Sequence, residues 1–531
     1  MKMRIKLLLV VFALAAASLY YYVTIPAVNI HSSGFWMFII SLVIVLTLLL
    51  SIKNIRRGDS LREVKPLKIG FVTASLLLII YVAGGVLSSP IVNAKKYHEL
   101  LPVQEGTFTE DIAEVDYNEI PLLDKSSATL LGNRKMGSLI DMVSQFEVSS
   151  LYTQINYQNK PVRVTPLVYA SPIKWLTNMK EGIPAYIMID MTTQDTECVR
   201  LPEGSYIKYS QAEYFNRNIY RHLRFRYPAF IFDQLSFEID EEGTPYWICP
   251  VKKFNIGLFG GETIGKVVLC NAVTGETLCY DIADCPQWVD SVYSANLLIQ
   301  LYDYYGVYMN GFFNSVLSQK GCLQTTDGYN YLAMEDDVWV YTGITSVSGD
   351  ESNVGFVLMN QRTMEAKYYS CPGAEEYSAM NSAEGQVQNL GYHSTFPLLL
   401  NVANEPTYFM ALKDDAGLVK KYAMVNIKKY QNVAIGDTVA ECEKAYIGLL
   451  KTNGISGGPV SAGEKQTGTI ETIAPVVSEG NSHYYVVLNG KDLIFDVLVS
   501  EFPGIIRYKE GDRITMEYIA GEKVQIVTGL Q

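Results

Sequence analysis

The chain has 531 residues, 49% hydrophobic and 18% charged, with a mean hydropathy of +0.10, more apolar than a soluble protein of this length needs to be. Its 8 cysteines are too sparse for a small disulfide scaffold, and 40 Gly with 20 Pro are too few for a collagen-like or disordered chain. The net charge of −12 is unevenly distributed, and its placement says more than its total.

The excess apolarity lies in three runs, residues 7–25, 35–52 and 69–89. Each matches the ~18–20 charge-free apolar residues that cross a bilayer, and Trp or Tyr stands near the run ends. Residues 1–92 are therefore expected to form a membrane anchor of three transmembrane helices. The first run also carries Ala15-Ala16-Ala17, which fits a signal-peptide cleavage site; the apolar residues continuing to Ile25 favour an uncleaved anchor. Lys2, Arg4 and Lys6 precede the first run, and Lys53, Arg56, Arg57, Arg62, Lys65 and Lys68 lie in the second loop. The loop around Pro26 and Gly34 has no Lys or Arg. Basic flanks stay in the cytoplasm, so the expected localisation is a multi-pass cell-membrane protein. Its N-terminus is cytoplasmic and its large C-terminal part extracytoplasmic.

Residues 1–92 carry nine Lys and Arg against Asp59 and Glu63, a net +7, which leaves −19 for the exported part. Such a surface repels phosphate backbones, so no nucleic-acid partner is expected. All the cysteines lie in this part: Cys198, Cys249, Cys270, Cys279, Cys285, Cys322, Cys371 and Cys442. In VVLCNAVTGETLCYD a two-residue turn at Thr274-Gly275 would set Cys270 opposite Cys279, where a disulfide and buried free thiols are both open readings. No CxxC or CxxH spacing occurs, so no metal and no cofactor are expected. The absence of any N-x-S/T sequon fits a bacterial envelope better than a eukaryotic secretory surface.

Residues 93–137 read as an acidic tether and 138–145 (SLIDMVSQ) as a helix. Across 138–451 a theme recurs about four times: an aromatic-rich strand, further strands separated by turns, then a helix-period segment. The clearest unit starts at Pro245 (PYWICPV), continues through GKVVLCN, VTGE and TLCYDI, and ends in a helix around Trp288 to Tyr305. Others start near Pro184, Val338 and Pro406. Strand alternation and helical period exchange places each time, so the fold class is α+β with repeated antiparallel hairpin/helix units. The hairpin GKVVLCNAVTGETLCYDI resembles the strand-turn-strand end of PepSY-type extracytoplasmic domains. That resemblance implies binding or regulation in the envelope and no catalytic residues. The other units depart from it, with no Gly in the turn of VGFVLMNQRTMEAKYY and Lys428-Lys429 in that of the last.

Residues 452–464 (TNGISGGPVSAGE) read as a linker, and 465–531 as five short strands closing a small β-barrel. The strand count and GDRITMEYI resemble an OB-fold. From Glu464 on, six Lys and Arg against ten Asp and Glu leave protein or glycan contact, or capping, as its use.

GISGGP at 454–459 resembles the G-D-S-G-G-P around the nucleophile of chymotrypsin-like serine proteases, with Ser456 as that nucleophile. Ile455 replaces the aspartate, and neither His222 nor His393 stands in an A-H-C context, so no catalytic residue is assigned. The acidic clusters Asp240-Glu241-Glu242, Asp336-Asp337, Asp414-Asp415 and Glu375-Glu376 mostly adjoin turn residues and read as solvated turns. Two of them held at the right separation would serve glycoside hydrolysis. LFGGETIG at 258–265 lacks the Lys-Ser/Thr of a phosphate loop and reads as a connection between strands. The 37 tyrosines fit sheet packing, with a stacking groove as the competing use. The expected function is a non-catalytic, membrane-anchored binding or scaffold protein of the envelope that recognises a protein or glycan partner. An extracytoplasmic hydrolase acting on wall glycan or peptide is the alternative.

Overall fold

The computed structural model describes residues 2–56, 64–113, 120–334, 336–347, 352–452, 464–478, 481–499, 502–519 and 524–530. The chain is a mixed α+β protein. It divides into two compact units: residues 1–104, 128–350 and 357–367, and residues 105–127, 351–356 and 368–531.

The first unit opens with helices α1 (Lys2–Thr24), α2 (Ser33–Arg56), α3 (Lys65–Ser88) and α4 (Pro90–His98). Among the described residues two helical segments, Ser33–Ser51 and Lys65–Ser88, are long and apolar enough to cross a membrane. They are apolar on every side, and Ile69, Phe71, Val72 and Leu76 stand exposed, as lipid-facing residues do. The first expected span falls on α1, where the side chains of residues 2–10, 12 and 13 lie outside the described ones. Pro90 opens α4 directly after Ser89, since proline is tolerated in a first helical turn but not further in.

Sheets of five, four, six and five strands follow, each containing a four-stranded meander succeeded by a helix. The first repeat has strands Thr153–Tyr157, Lys160–Tyr169, Ala185–Asp190 and Thr196–Arg200, then the helix Ile219–Arg226. The second has Ser236–Ile239, Pro245–Ile256, Gly260–Asn271 and Thr277–Asp281, then Ala295–Val307. The third, whose residues are divided between the two units, has Asn330–Met334, Asp337–Ser346, Ser352–Asn360 and Ala366–Ala374, then Glu376–Gln386. The fourth, in the second unit, has Leu398–Val402, Glu405–Lys413, Val419–Asn426 and Val433–Gly436, then Val439–Thr452. The central strands carry the core: Ile187, Ile189, Val267, Val268, Val357, Leu358, Met424 and Val425 are all fully buried.

One turn chemistry defines the repeats. The third strand ends on Asp190, Asn271 or Asn360, whose Oδ1 accepts two backbone N–H groups. Thr192 and Thr193 donate at 2.8 and 2.9 Å, Val273 and Thr274 at 2.9 Å each, and Arg362 and Thr363 at 2.8 and 2.9 Å. Four residues after the acceptor, the chain takes a left-handed step at Gln194, Gly275 or Met364, with φ of 65°, 74° and 67°. The carboxamide or carboxylate holds the reversal closed, which lets Gln and Met occupy a position that glycine prefers. The T-G-E hairpin is thus one spelling of a D/N-x-x-T turn. In the fourth repeat Asn426 Oδ1 accepts from Lys429 N, and the turn is one residue longer. The turns of the last three repeats also receive the segment leading out of the preceding repeat: Lys208 and Tyr209 donate to Ala272 O, Val292 and Tyr293 to Gln361 O, and Ala374 to Ile427 O.

The expected helix at 138–145 is a run of turns; the helix lies earlier, at Lys125–Gly137. Asp124 sets its start by accepting from Ser127 N at 2.9 Å. Residues 93–137, read as a tether, carry most of α4 and this helix, and bury Ile120, Leu122, Leu123 and Met136. Of the expected linker 452–464, residues 453–463, Ser456 among them, lie outside the described residues.

The chain ends in a closed five-stranded barrel of Glu464–Ser478, Asn481–Leu488, Ile494–Leu498, Arg513–Ile519 and Gln525–Leu530. Its order is first-second-third-fifth-fourth, and the 15-residue first strand pairs with both the second and the fourth. Third and fifth strands run parallel. Val486, Leu488, Phe495, Val497, Ile514 and Met516 fill the interior from alternating positions.

Candidate functional site

Three constellations in the first unit bear on function: a cleft, a buried carboxylate pair and a junction with the apolar helices. The cleft encloses about 650 Å³ between the end of the second strand of the first repeat and the loop before its helix. Glu213 organises one wall. Although only 3% exposed, it accepts from Tyr169 Oη at 2.6 Å through one oxygen and from Trp175 Nε1 at 2.9 Å through the other. Burial and the Glu213 carboxylate push the Tyr169 hydroxyl far above its usual range, so it stays a donor. Trp175 lies 4.6 Å from the Tyr214 ring, and Trp247 contributes to the lining while its Nε1 donates to Tyr209 O at 2.9 Å. Ser210, Gln211, Asn218 and Arg221 add polar groups. Arg221 Nε is buried with no hydrogen-bond partner, and its guanidinium covers the Tyr22 ring at 5.1 Å. Aromatic walls with a few fixed polar groups suit a sugar or an extended polar segment.

The second constellation is Glu238, fully buried, with Asp290, 1% exposed. Glu238 accepts from Asp290 N at 3.0 Å, Ser291 N at 2.9 Å and Ser236 Oγ at 3.3 Å. Asp290 Oδ2 accepts from Asn156 N at 2.7 Å, and its Oδ1 has no partner. Burial raises Glu238 to about 7 and carries Asp290 upward as well, with the neighbouring Glu238 charge as a further cause. Nearby, Asp337 receives Arg362 through two bonds of 2.6 and 2.7 Å, and Asn360 Nδ2 at 2.8 Å. The pair is sealed from solvent, so a substrate has no route to it in this conformation.

The third constellation explains the glycines at 257–261. The hairpin between the two long strands of the second repeat meets the N-terminal end of α2 and the C-terminal end of α3. Ser88 Oγ accepts from Leu258 N at 2.8 Å and Phe259 N at 3.2 Å while donating to Gly84 O at 2.6 Å. Phe259 packs on Tyr81 at 5.1 Å and Trp36 at 6.4 Å. A Cβ at Gly257 would strike Ser88 Oγ, one at Gly260 would strike Ser88 O and Tyr97 Oη, and one at Gly84 would strike Leu258. The α1–α2 loop joins in: Asn29 Nδ2 donates to Ala229 O at 2.9 Å, and the His31 Nδ1 edge lies 2.7 Å from Leu258 O with its ring stacked on Phe254. The glycines serve close backbone approach between strand hairpin and helices.

The residues singled out in sequence take mostly structural places. Cys270 faces Thr277, while Cys279 faces Val268, because five residues form the reversal instead of two. The opposed position that a direct bridge would use is therefore not formed. Cys270 is buried, with its thiol pushed up to about 12, and Cys279 is exposed; all eight cysteines are free thiols. His222 contacts Gly275 O at 2.7 Å, and burial lowers its pKa. His393 is exposed near Glu384 and Asp415. Asp240 and Asp414 cap turns, accepting from Thr244 N and Leu418 N. Asp336 accepts from Asn156 Nδ2 at 3.0 Å, and Glu376 is buried beside Asn353. Among the described residues no group of three or more His, Cys, Asp or Glu is arranged to hold a metal ion. Sequence reasoning missed Glu213 and the Glu238–Asp290 pair. The one local signal for the pair was an acid inside the apolar strand Ser236–Ile239.

No family model matches the chain, and no curated protein matches it. Solved structures with partial similarity include a Synechocystis apocarotenoid oxygenase, 9% identical over 66% of this chain and 58% of that one, with a TM-score of 0.15. A Bombyx mori GH32 beta-fructofuranosidase is 10% identical over 75% of this chain and 69% of its own, with a TM-score of 0.18. The chain spans less than two thirds of the oxygenase, and likenesses of this size carry no argument for what this chain does.

Proposed function

We propose that this chain is a non-catalytic, membrane-anchored binding or scaffold protein of the cell envelope. Three N-terminal helices span the membrane with the N-terminus cytoplasmic, and the repeats and barrel lie outside. The observation that carries binding is the cleft of about 650 Å³, walled by Tyr169 and Tyr214 and supplied with Gln211, Asn218 and Arg221. An envelope protein segment or a glycan strand is the ligand class that stacks on such rings and uses such donors. The repeats are read as distant relatives of PepSY-type modules. The barrel, with its long first strand and one parallel pair, is read as OB-like and as a contact or capping element.

A photoreactive phenylalanine analogue placed at Tyr214 in intact cells tests the binding reading. A crosslink to one defined envelope protein or glycan, lost on Gln211→Ala with Arg221→Ala, is the expected result. Crosslinking no greater than at an exposed position outside the cleft, such as Leu278, overturns it. Topology is tested separately through Cys279, the exposed cysteine of the second repeat. A membrane-impermeant maleimide should label it in intact cells; labelling only after mild permeabilisation would place the repeats inside.

A further inference from the structure

Exposed apolar side chains cluster where the helices leave the apolar anchor. Around the outer end of α1 they are Ile173 and Leu176 on the helix Pro172–Asn178, Phe215 before the helix Ile219–Arg226, and Phe225 within it; Phe215 is 62% and Ile173 69% exposed. Four contacts tie this surface to α1. Tyr22 stacks on Phe225 at 6.0 Å, Tyr22 Oη donates to Asn216 Oδ1 at 3.3 Å, Arg221 covers the Tyr22 ring, and Arg224 Nε donates to Ile25 O at 3.0 Å. The depth of Tyr22 follows from α2: the neighbouring Tyr20 stacks on Phe38 and bonds Ser41, within the first turns after Ser33.

Charge points the same way. The stretch 214–226 (YFNRNIYRHLRFR) holds four arginines and no acid, inside an exported part whose net charge is −19. At the exit of α3 a second patch repeats the pattern. Ile91 and Val92 on α4 are exposed, as are Phe313, Val316 and Leu317 on the short helix Phe312–Leu317, and Tyr308 links the two by packing on Tyr97 and Phe312.

We propose that these two patches form a lipid-contacting foot. Phe215, Phe225, Ile173 and Leu176 on one side, and Phe313, Val316 and Leu317 on the other, enter the headgroup–acyl boundary of the outer leaflet. Exposed Arg226 faces its phospholipid phosphates. Aromatic and basic residues flanking an apolar face are what that boundary takes up, and continuity with the ends of the anchor helices selects lipid over a second protein. The inference rests on the anchoring reading above.

The test uses the full chain in nanodiscs of phosphatidylcholine and phosphatidylglycerol, carrying Phe215→Trp or, should that variant misfold, Leu176→Trp. The added indole emission is measured against the unsubstituted chain. Lipids brominated near the headgroup end of their acyl chains should quench most of that emission, and aqueous iodide should barely touch it. Emission that iodide quenches and brominated lipid does not would overturn the foot while leaving anchoring intact, and would leave that surface to a protein partner. A chain that fails to co-purify with the disc would sink the anchoring reading and the foot together.

Discussion

The Glu238–Asp290 pair makes the stability of the repeats depend on pH in a predictable direction. Glu238 rises from the usual 4.5 to about 7 because burial penalises its charge, despite donors from Asp290 N, Ser291 N and Ser236 Oγ. Between those two values the folded chain keeps a proton that the unfolded chain has released. The stability tied to Glu238 is therefore complete below about pH 4.5 and is lost as pH rises through about 7. At roughly 1.36 kcal/mol per tenfold the loss is about 3 kcal/mol, and Asp290, displaced in the same direction, adds to it. For a unit of this size that is on the order of 5 °C in Tm. The Glu238→Gln variant keeps the shape and an acceptor oxygen but cannot titrate, so the Glu238 share of the slope should disappear while stability near pH 7.5 rises, and Asp290, raised first by its own burial, keeps its part. Thermal unfolding of the full chain in nanodiscs, stepped from pH 4 to 8 and followed by near-UV circular dichroism, reads both. A parent Tm that is flat or rising over that interval, or a Gln variant with the parent slope, would refute the reasoning.

The turn chemistry makes two opposed predictions. Met364→Gly should stabilise by up to about 1 kcal/mol, since it frees a non-glycine residue from φ 67°. Gly275→Ala should destabilise, because φ is 74° and the new Cβ would strike the Tyr209 ring; denaturant midpoints moving in the same direction would count against both. Asn271→Ala removes the acceptor for Val273 N and Thr274 N and should cost about 1–2 kcal/mol, with Asn271→Asp close to neutral. Ser88→Ala takes away the shared acceptor of Leu258 N and Phe259 N, so those two amides should exchange with deuterium faster. Unchanged exchange would mean that the hairpin does not depend on that hydroxyl.

What could be read from the chain was what neighbouring residues decide among themselves. The apolar runs make the helices of 33–51 and 65–88, because a helix satisfies its backbone hydrogen bonds within one segment. Alternation makes the strands, and sheet and helix alternate as the recurring theme implied, although Pro184 stands before the third strand of its sheet and Pro245, Val338 and Pro406 on second strands. Boundaries slipped where a side chain set them: Asp124 starts a helix earlier than the periodicity of SLIDMVSQ implied. The cysteine register slipped because Asn271 Oδ1 props open a five-residue reversal.

Tertiary structure alone decided the rest. Glu238 and Asp290 lie far apart in the chain and meet only when the exit segment of the second repeat crosses its own first strand. Gly257 and Gly260 read as loop residues until Ser88 and Tyr97 come to rest against them. Phe215 and Phe225 look like ordinary core aromatics in an arginine-rich stretch, and only the fold leaves them outside, Phe225 against Tyr22. Local order follows from backbone sterics and periodicity, which a single stretch of sequence contains in full. Burial, charge displacement and exposure depend on which distant surfaces the fold brings together, and those pairings are written in no one segment.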